Sequence, residues 1–173
     1  MNAPLGRAVG NAIEKAEAAL DDESETERSL VEALSVRYTA RPPGDRAALD
    51  SAYADAMGRL AERYPGDDEI SVLYGESLMD LRPWDYWTAE GDPQPGMPEA
   101  LDHLTRVVER SPDHPGACHF YIHAVEKEHP ERAVPCAERL ASLMPGAGHL
   151  VHMPGHIYIR VGRYEDAIAA NEH

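Results

Sequence analysis

The sequence is poor in the residues that mark several common classes of protein. It contains two cysteines and one phenylalanine, and no apolar run reaches 18 residues. Two cysteines do not supply a disulfide framework, so Cys118 and Cys136 are expected to be reduced, partly buried thiols. Without a long apolar run there is no candidate membrane span. The first ten residues also lack a signal-peptide pattern, and a cytoplasmic location is expected.

Positive charge is scarce as well. Lys and Arg total 16 against 31 Asp and Glu, which gives a formal net charge of -15 at pH 7. Such a surface repels phosphate backbones and anionic membranes, so neither a nucleic acid nor a membrane is an expected partner. The glycines follow neither the P-loop nor the dinucleotide-binding pattern, so no nucleotide cofactor is expected. The acidic surface favours cations or basic peptides, or serves only solubility.

Apolar residues recur at helical spacing along nearly the whole chain, and alternating strand-like runs are absent. This pattern predicts an all-α protein of about eight or nine helices. Ser24 and Glu27 form the S-x-x-E pattern of a capping box at the start of the second helix. Helices are predicted over residues 7–20, 24–38, 45–64, 69–81, 98–111, 115–128, 131–143 and 150–161, and from Tyr164 onward.

Residues 82–97 interrupt the helical pattern. This aromatic segment holds three prolines, two glycines and both tryptophans of the chain. Trp84, Tyr86 and Trp87 give it more aromatic surface than a linker needs. It is therefore expected to fold back on the helices, either as a structural plug or as a lid over a groove.

A repeat of 33 to 34 residues runs through the C-terminal half. Ala100, Ala133 and Ala167 are separated by 33 and 34 residues, and Pro112 and Pro145 each follow an alanine of this series by twelve. A helix-turn-helix unit with this period is typical of tetratricopeptide (TPR) repeats.

The chain resembles the TPR family most clearly at its C-terminal end, where Gly155, Tyr158, Gly162 and Ala167 fall at the family's spacings. The resemblance implies a single domain over 1–173, built as an α-solenoid of antiparallel helical hairpins. It is strong from about residue 98 onward. Repeats are expected near 28–65, 68–112, 114–145 and 148–173, the last of them incomplete.

Two segments, 118–126 and 148–158, are also similar to those of a subgroup of longer bacterial TPR proteins with His-rich repeats. The chain stops inside the second helix of its last repeat, whereas solenoids normally end in a polar capping helix. We therefore expect a fragment, a short version, or an open end that another copy covers.

Histidines are concentrated in one part of the chain: seven of the nine lie between residues 114 and 156. One triplet is spaced H-x-x-x-H-x-x-E and another H-x-x-H-x-x-x-H, so each occupies one helix face. Two imidazoles one turn apart can bind a single transition metal. Imidazole and carboxylate together suit Zn, Fe, Cu, Ni or Mn. The predicted ligands are His119, His123, Glu126, His149, His152 and His156.

The TPR resemblance places both triplets on the first helices of their hairpins, which line the concave groove in that family. Glu76 and Asp80 lie one turn apart in the preceding unit and are candidates for further ligands or a general base. Pro154 leaves two alternatives open, because a proline either kinks the helix or marks its first turn and leaves His149 and His152 outside it.

Three functions remain open at this stage. The first is metal binding, extending to a metalloenzyme that acts on a small-molecule substrate. The second is a non-catalytic scaffold whose groove binds a protein or peptide, with neutral histidines as hydrogen-bonding groups. The third is a structural piece that forms a homo-oligomer through its open C-terminal helix. In the last two cases, the histidine pattern is a hydrogen-bonding surface or an accident of packing.

Overall fold

A computed structural model describes residues 3–20, 24–38 and 44–172, with side chains from Ala8 onward. Within these ranges the structure is helical, and the extended pairing is limited to one isolated bridge between Trp87 and Pro93. The fold is a TPR-like α-solenoid of antiparallel hairpins, as the sequence predicts. None of the described helices is both long and apolar enough to cross a membrane.

The described residues divide into two compact units, one ending at Ile70 and the other starting at Ser71. The first unit contains α1 (Ala3–Ala18), α2 (Glu25–Ser35) and α3 (Ala47–Arg63), which pack in sequence order. The predicted capping box is confirmed: Ser24 Oγ accepts from the Glu27 N–H at 3.2 Å, and the Glu27 carboxylate accepts from the Ser24 N–H at 3.0 Å.

The second unit carries the remaining helices. After α4 (Asp68–Asp80), which includes the boundary between the units, α5 packs on α6, α6 on α7, α7 on α9, and α9 on α10. Leu104, Ile122, Leu140, Met153 and Ile157 are fully buried between them. The ranges are α5 (Met97–Arg110), α6 (Pro115–Val125), α7 (Val134–Leu143), α8 (Gly148–His152), α9 (Pro154–Arg160) and α10 (Tyr164–Ala169).

The start of α7 differs from the prediction. A helix over 131–143 is expected from the sequence, but Pro130–Ala133 forms a 3₁₀ turn and α7 begins at Val134. Pro135 accounts for the difference. It has no N–H to donate to the carbonyl of Glu131, and its ring would clash with that carbonyl in an α-helix.

Pro154 kinks the last long helix without ending it. The α-helical hydrogen-bonding pattern is interrupted only at Met153, whose φ of -51° and ψ of -38° keep the chain in the right-handed helical region. His149 and His152 therefore stay on helical backbone, in α8. Counted as one kinked helix, α8 and α9 bring the described helices to nine, in agreement with the sequence.

The two cysteines pack α6 against α7. Cys118 and Cys136 are free thiols, 0% and 1% exposed, with their sulfur atoms 2.7 Å apart. They are buried more completely than the sequence suggests.

The aromatic segment contains two tryptophans in opposite environments. Trp87 is 7% exposed and donates its indole N–H to the Ala124 carbonyl at 2.8 Å, at the C-terminal end of α6. Lys127 Nζ donates to the Thr88 carbonyl at 3.1 Å and holds the segment against the same helix end. Trp84 is 69% exposed and has a φ of 66°, a strained conformation for a bulky residue.

Gly75 allows α4 to approach α5 closely, and this contact yields a prediction. A Cβ at position 75 would lie 3.0 Å from Leu104 Cγ and 3.2 Å from its Cδ2, and Leu104 is fully buried. Overpacking of this kind costs about 1–3 kcal/mol, more than the roughly 0.8–1 kcal/mol that alanine gains over glycine in a helix. Gly75→Ala should therefore lower the free energy of unfolding measured by urea denaturation.

The matched control is Gly146→Ala, because a Cβ at position 146 would meet no heavy atom within 4 Å. Its free energy of unfolding should not fall. A Gly75→Ala protein as stable as this control would show that the close approach of Leu104 is not a constraint.

Candidate metal centre

Three helical segments, α6, α8 and α9, place the predicted ligands side by side. His119 and His123 are one turn apart on α6, and Glu126 follows at the C-cap of that helix. The other three come from α8 and α9 on the two sides of the kink. We call the following set the histidine cluster: His119, His123, Glu126, His149, His152 and His156.

The two triplets meet across the helices. His119 Nε2 lies 3.0 Å from His149 Nε2, and the ring centroids of His123 and His156 are 5.5 Å apart. Within the second triplet, His152 Nε2 lies 3.0 Å from His156 Nε2. The structure thus brings all six predicted residues into one contiguous group, which is the arrangement that a shared metal site requires.

Glu126 sits at the centre of this group. The residue as a whole is 8% exposed. Its carboxylate lies between two imidazoles: Oε1 is 3.3 Å from His123 Nδ1, and Oε2 is 2.8 Å from His156 Nδ1. Arg160 Nε lies 3.6 Å from the same Oε2. An ionised carboxylate only accepts hydrogen bonds, so the Nδ1 atom of each imidazole carries the proton.

Asn171 fixes the protonation of a third imidazole. Its side-chain amide donates to the Ala167 carbonyl at 2.7 Å, which assigns the nitrogen and leaves Oδ1 facing His152 Nδ1 at 2.6 Å. Because that oxygen is an acceptor, His152 also carries its proton on Nδ1. A hydrogen bond from the second ring nitrogen is the arrangement that orients histidine ligands in metal sites.

These hydrogen bonds also decide which groups meet where the Nε2 atoms of His152 and His156 face each other. In neutral His152 and His156 the Nε2 atoms are both lone-pair acceptors, yet they stand 3.0 Å apart. Such an approach is favourable only when one ring takes a second proton or when both lone pairs bind a cation. Two nitrogens that are each about 2.0–2.1 Å from one metal ion stand roughly 3.0–3.4 Å apart.

The described part of the chain contains two sets of three residues whose potential ligand atoms lie within 4.8 Å of one another in each set. One is the all-imidazole set His119, His123 and His149, and the other combines His123 and His156 with Glu126. His123 belongs to both, and its side chain is 10% exposed. The cluster therefore offers two adjacent positions for a cation that share one imidazole.

The electrostatics favour a neutral imidazole at His119 and at His149 and an ionised carboxylate at Glu126. Burial, with further contributions from His123, His149 and His156, lowers the pKa of His119 to about 4. Burial also comes first in lowering the pKa of His149, followed by the neighbouring histidines. For Glu126, burial raises the pKa, but the hydrogen bonds from His123 and His156 outweigh it and the pKa falls to about 2. These are the charge states in which imidazole and carboxylate bind metals.

The aromatic segment reaches the cluster through Trp84. The Trp84 ring meets the His123 ring edge-on at a centroid distance of 5.0 Å, and Tyr86 lies 6.4 Å from Trp84. Burial raises the pKa of Tyr86, and the charges of Asp80, Glu126 and Glu76 raise it further. Trp87 instead makes an edge contact with the ring of His129, which lies outside the cluster. Trp87 thus anchors the aromatic segment to α6, and Trp84 makes the contact of the segment with the histidine cluster.

The two carboxylates of α4 have a less direct relation to the cluster. Glu76 and Asp80 are half-buried and close enough to Tyr86 to influence its pKa. Among the described residues, neither belongs to a set of three close ligand atoms. Their assignment as further ligands or as a general base stays a prediction.

Sequence reasoning missed two residues of this site. Asn171, which follows His152 by 19 residues, accepts its hydrogen bond and orients it. Arg160, which lies one helical turn after His156, pairs with Glu126. The spacing of Arg160 behind the second triplet could have indicated it, since residues four apart share a helix face. Nothing in the pattern singles out Asn171.

Fold and side chains together define the class: a TPR-like helical-repeat protein with a cluster of histidines and a carboxylate on adjacent helices. Two similar solved structures are MamA AMB-1 (TM-score 0.58, 14% identity, 97% of this chain and 87% of that chain) and MamA MSR-1 (0.58, 14%, 98% and 90%). A MamA mutant has a TM-score of 0.56 at 15% identity, over 97% of this chain and 92% of that chain.

At this level of identity the likeness shows the fold alone, and MamA is TPR-like. No family model and no curated protein matches the sequence. The finer resemblance to bacterial TPR proteins with His-rich repeats stays a prediction.

Proposed function

We propose that the histidine cluster binds a divalent transition metal ion. The observation that carries this proposal is the pair of 3.0 Å contacts between Nε2 atoms, His119 with His149 and His152 with His156. A bound cation would turn the unfavourable approach of His152 to His156 into a ligand pair, and it would replace the proton that can bridge His119 and His149. The formal net charge of -15 adds a general attraction for cations.

The members of the cluster would have different roles. His119, His123 and His149 would bind through imidazole nitrogens, and His152 and His156 would supply a second pair. Glu126 uses both oxygens to hold Nδ1 atoms, which suits an orienting carboxylate. It becomes a direct ligand if an ion occupies the set it forms with His123 and His156.

The ligand types narrow the choice of metal. A site rich in imidazole with one carboxylate and no thiolate suits Zn, Fe, Cu, Ni or Mn and disfavours Ca²⁺ and Mg²⁺, which prefer all-oxygen sites. Whether the ion then catalyses a reaction on a small-molecule substrate depends on an open coordination position.

Elemental analysis by ICP-MS tests the proposal on untagged protein purified without added metal. We expect about one or two equivalents of a single transition metal, because several imidazoles can bind one ion together. One equivalent would indicate that one of the two positions is occupied, and two would indicate both. Protein that contains no metal and takes up neither Zn²⁺, Fe²⁺ nor Cu²⁺ in calorimetric titration would refute the proposal.

The second candidate is a non-catalytic scaffold that binds a protein or peptide partner. The TPR-like fold favours it, since helical repeats present extended binding surfaces. In that case the imidazoles would hydrogen-bond a peptide, and each facing pair would share one proton between its two Nε2 atoms. A metal-free protein in which NMR shows a proton on one Nε2 atom of each facing pair would support the scaffold.

A further inference from the structure

The two cysteines of the chain make a contact that the proposed metal site does not use. Cys118 lies on α6 and Cys136 on α7, and both side chains are enclosed by the packing of these helices. Their Sγ atoms are 2.7 Å apart. Non-bonded carbon atoms attract best about 3.5–4.0 Å apart, and sulfur is larger than carbon. Two neutral thiols at this distance would therefore relax by moving apart.

A metal ion held by both sulfur atoms does not account for the short contact. Thiolates bind Zn²⁺ at about 2.3 Å, so two of them at tetrahedral angles on one ion stand roughly 3.7 Å apart. The sulfur atoms of Cys118 and Cys136 are closer than that. Within the part of the chain that the structure describes, no third ligand atom joins them in a close set.

A covalent bond between the two sulfur atoms does account for it. The S–S bond of a disulfide is about 2.0 Å long, so the atoms need to approach by less than about 1 Å to form one. The helices that carry them are successive in the chain and pack directly on each other. The fold thus holds both thiols where they can be joined without a wider rearrangement.

We infer that Cys118 and Cys136 form a redox pair, which hydrogen peroxide converts to an intramolecular disulfide between α6 and α7. The Cys118 thiolate attacks one peroxide oxygen, the O–O bond breaks, and a sulfenic acid and hydroxide form. The Cys136 thiolate then attacks the Cys118 sulfur, and the second hydroxide leaves as the S–S bond forms. The two thiol protons convert both hydroxides to water, and the two electrons lost by the sulfur atoms reduce the peroxide.

The surroundings of the pair assign the first step to Cys118. The hydrogen bond with Cys136 lowers the pKa of Cys118 and outweighs the effect of burial, and the charge of Arg139 lowers it further. The same hydrogen bond and burial raise the pKa of Cys136. Because the thiolate is the nucleophile, Cys118 is the better attacking group.

Burial of the pair limits both the oxidant and the rate. Cys136 is the third residue of α7, directly after the 3₁₀ turn Pro130–Ala133. The first N–H groups of a helix have no acceptor within the helix, so this end of α7 opens more readily than a helix interior. A molecule little larger than water can enter through such an opening, whereas glutathione disulfide would require the two helices to separate.

The inference goes beyond the proposed metal function and is tested on the full, folded chain in the presence of a chelator. The protein is treated with hydrogen peroxide, and free thiols are then counted in denaturant. We expect both thiols to be lost together, with a decrease of about 2 Da across the two cysteine peptides, and both to return with dithiothreitol. Trypsin without reductant should yield residues 111–127 linked to residues 133–139.

Two single variants separate the roles of the cysteines. Cys136→Ser leaves Cys118 without its partner, so peroxide should produce a sulfenic acid that dimedone labels, and no disulfide within the chain. Cys118→Ser is the matched control, because it leaves only the thiol with the raised pKa, and dimedone should label it at least about tenfold less. Circular dichroism checks that both variants are folded.

The wild-type chain alone is sufficient to overturn the inference. Two thiols that stay free in the folded protein, while the same chain in urea loses them, would show that the packing of α6 and α7 makes the pair inert. A disulfide between two chains, seen as a dimer in non-reducing electrophoresis, would also overturn it. Neither result bears on metal uptake, which ICP-MS measures separately.

Discussion

Replacing His123 and His156 together with alanine is expected to abolish metal uptake while leaving the helical content nearly unchanged. His123 is shared by both sets of close ligand atoms, and His156 contributes to the second set and to a facing Nε2 pair. The affinity for Zn²⁺ measured by calorimetry should fall more than about 100-fold, beyond what the loss of an orienting residue alone produces. Far-UV circular dichroism at 25 °C reports the helical content.

The double variant also removes two hydrogen-bond partners of Glu126, and about 1–3 kcal/mol of stability should be lost with them. Arg160 remains beside the carboxylate at 3.6 Å, which limits that loss. The matched control is His103→Ala with His129→Ala, two histidines outside the cluster whose rings make edge contacts with Tyr74 and Trp87 respectively. The control should keep full metal uptake. Collapse of helicity in the cluster variant would mean that these histidines are core residues.

Trp87→Ala should be the most destabilising single substitution in the aromatic segment. Trp87 is 7% exposed, and its indole N–H has the Ala124 carbonyl as partner, so its loss leaves both a cavity and an unpaired carbonyl. Truncation of a buried tryptophan costs about 3–5 kcal/mol. Urea denaturation followed by circular dichroism should show this as a lower free energy of unfolding.

Trp84→Ala provides the comparison within the same segment. Its side chain is 69% exposed, and substitutions at exposed positions usually change stability by less than about 0.5 kcal/mol. If both variants lost equal stability, the segment would not be anchored by Trp87 alone. If neither did, the plug would not stabilise the fold.

Helix positions could be predicted well from sequence wherever proline and glycine punctuate the apolar pattern. The expected helix at 98–111 is observed as Met97–Arg110, with Pro98 in its first turn as predicted. The expected helix at 69–81 is observed as Asp68–Asp80. The predicted start of α7 was wrong because the ring of Pro135 would clash with the backbone of the preceding turn. The apolar periodicity continues through Pro135 and so gives no sign of this clash.

The membership of the histidine cluster was also predictable, because residues three and four apart on a helix share a face. The contacts between the helices were not. The 3.0 Å approach of His119 to His149 depends on the packing of two hairpins, and the proton positions depend on Asn171, which lies in a different helical turn. The roles of Trp84 and Trp87 could not be separated either, since the left-handed backbone at Trp84 directs the two rings differently.

The position of Glu126 has a consequence for cooperativity. In a solenoid, stability is close to a sum of the intrinsic stabilities of the repeats and the coupling between neighbours. Glu126 ends α6 and holds His156 of α9 at 2.8 Å, so one carboxylate joins two successive hairpins through a polar contact. Coupling between these hairpins therefore depends on the ionic state of the cluster as well as on apolar packing. Separation of the hairpin formed by α9 and α10 from α6 and disassembly of the cluster are then a single event.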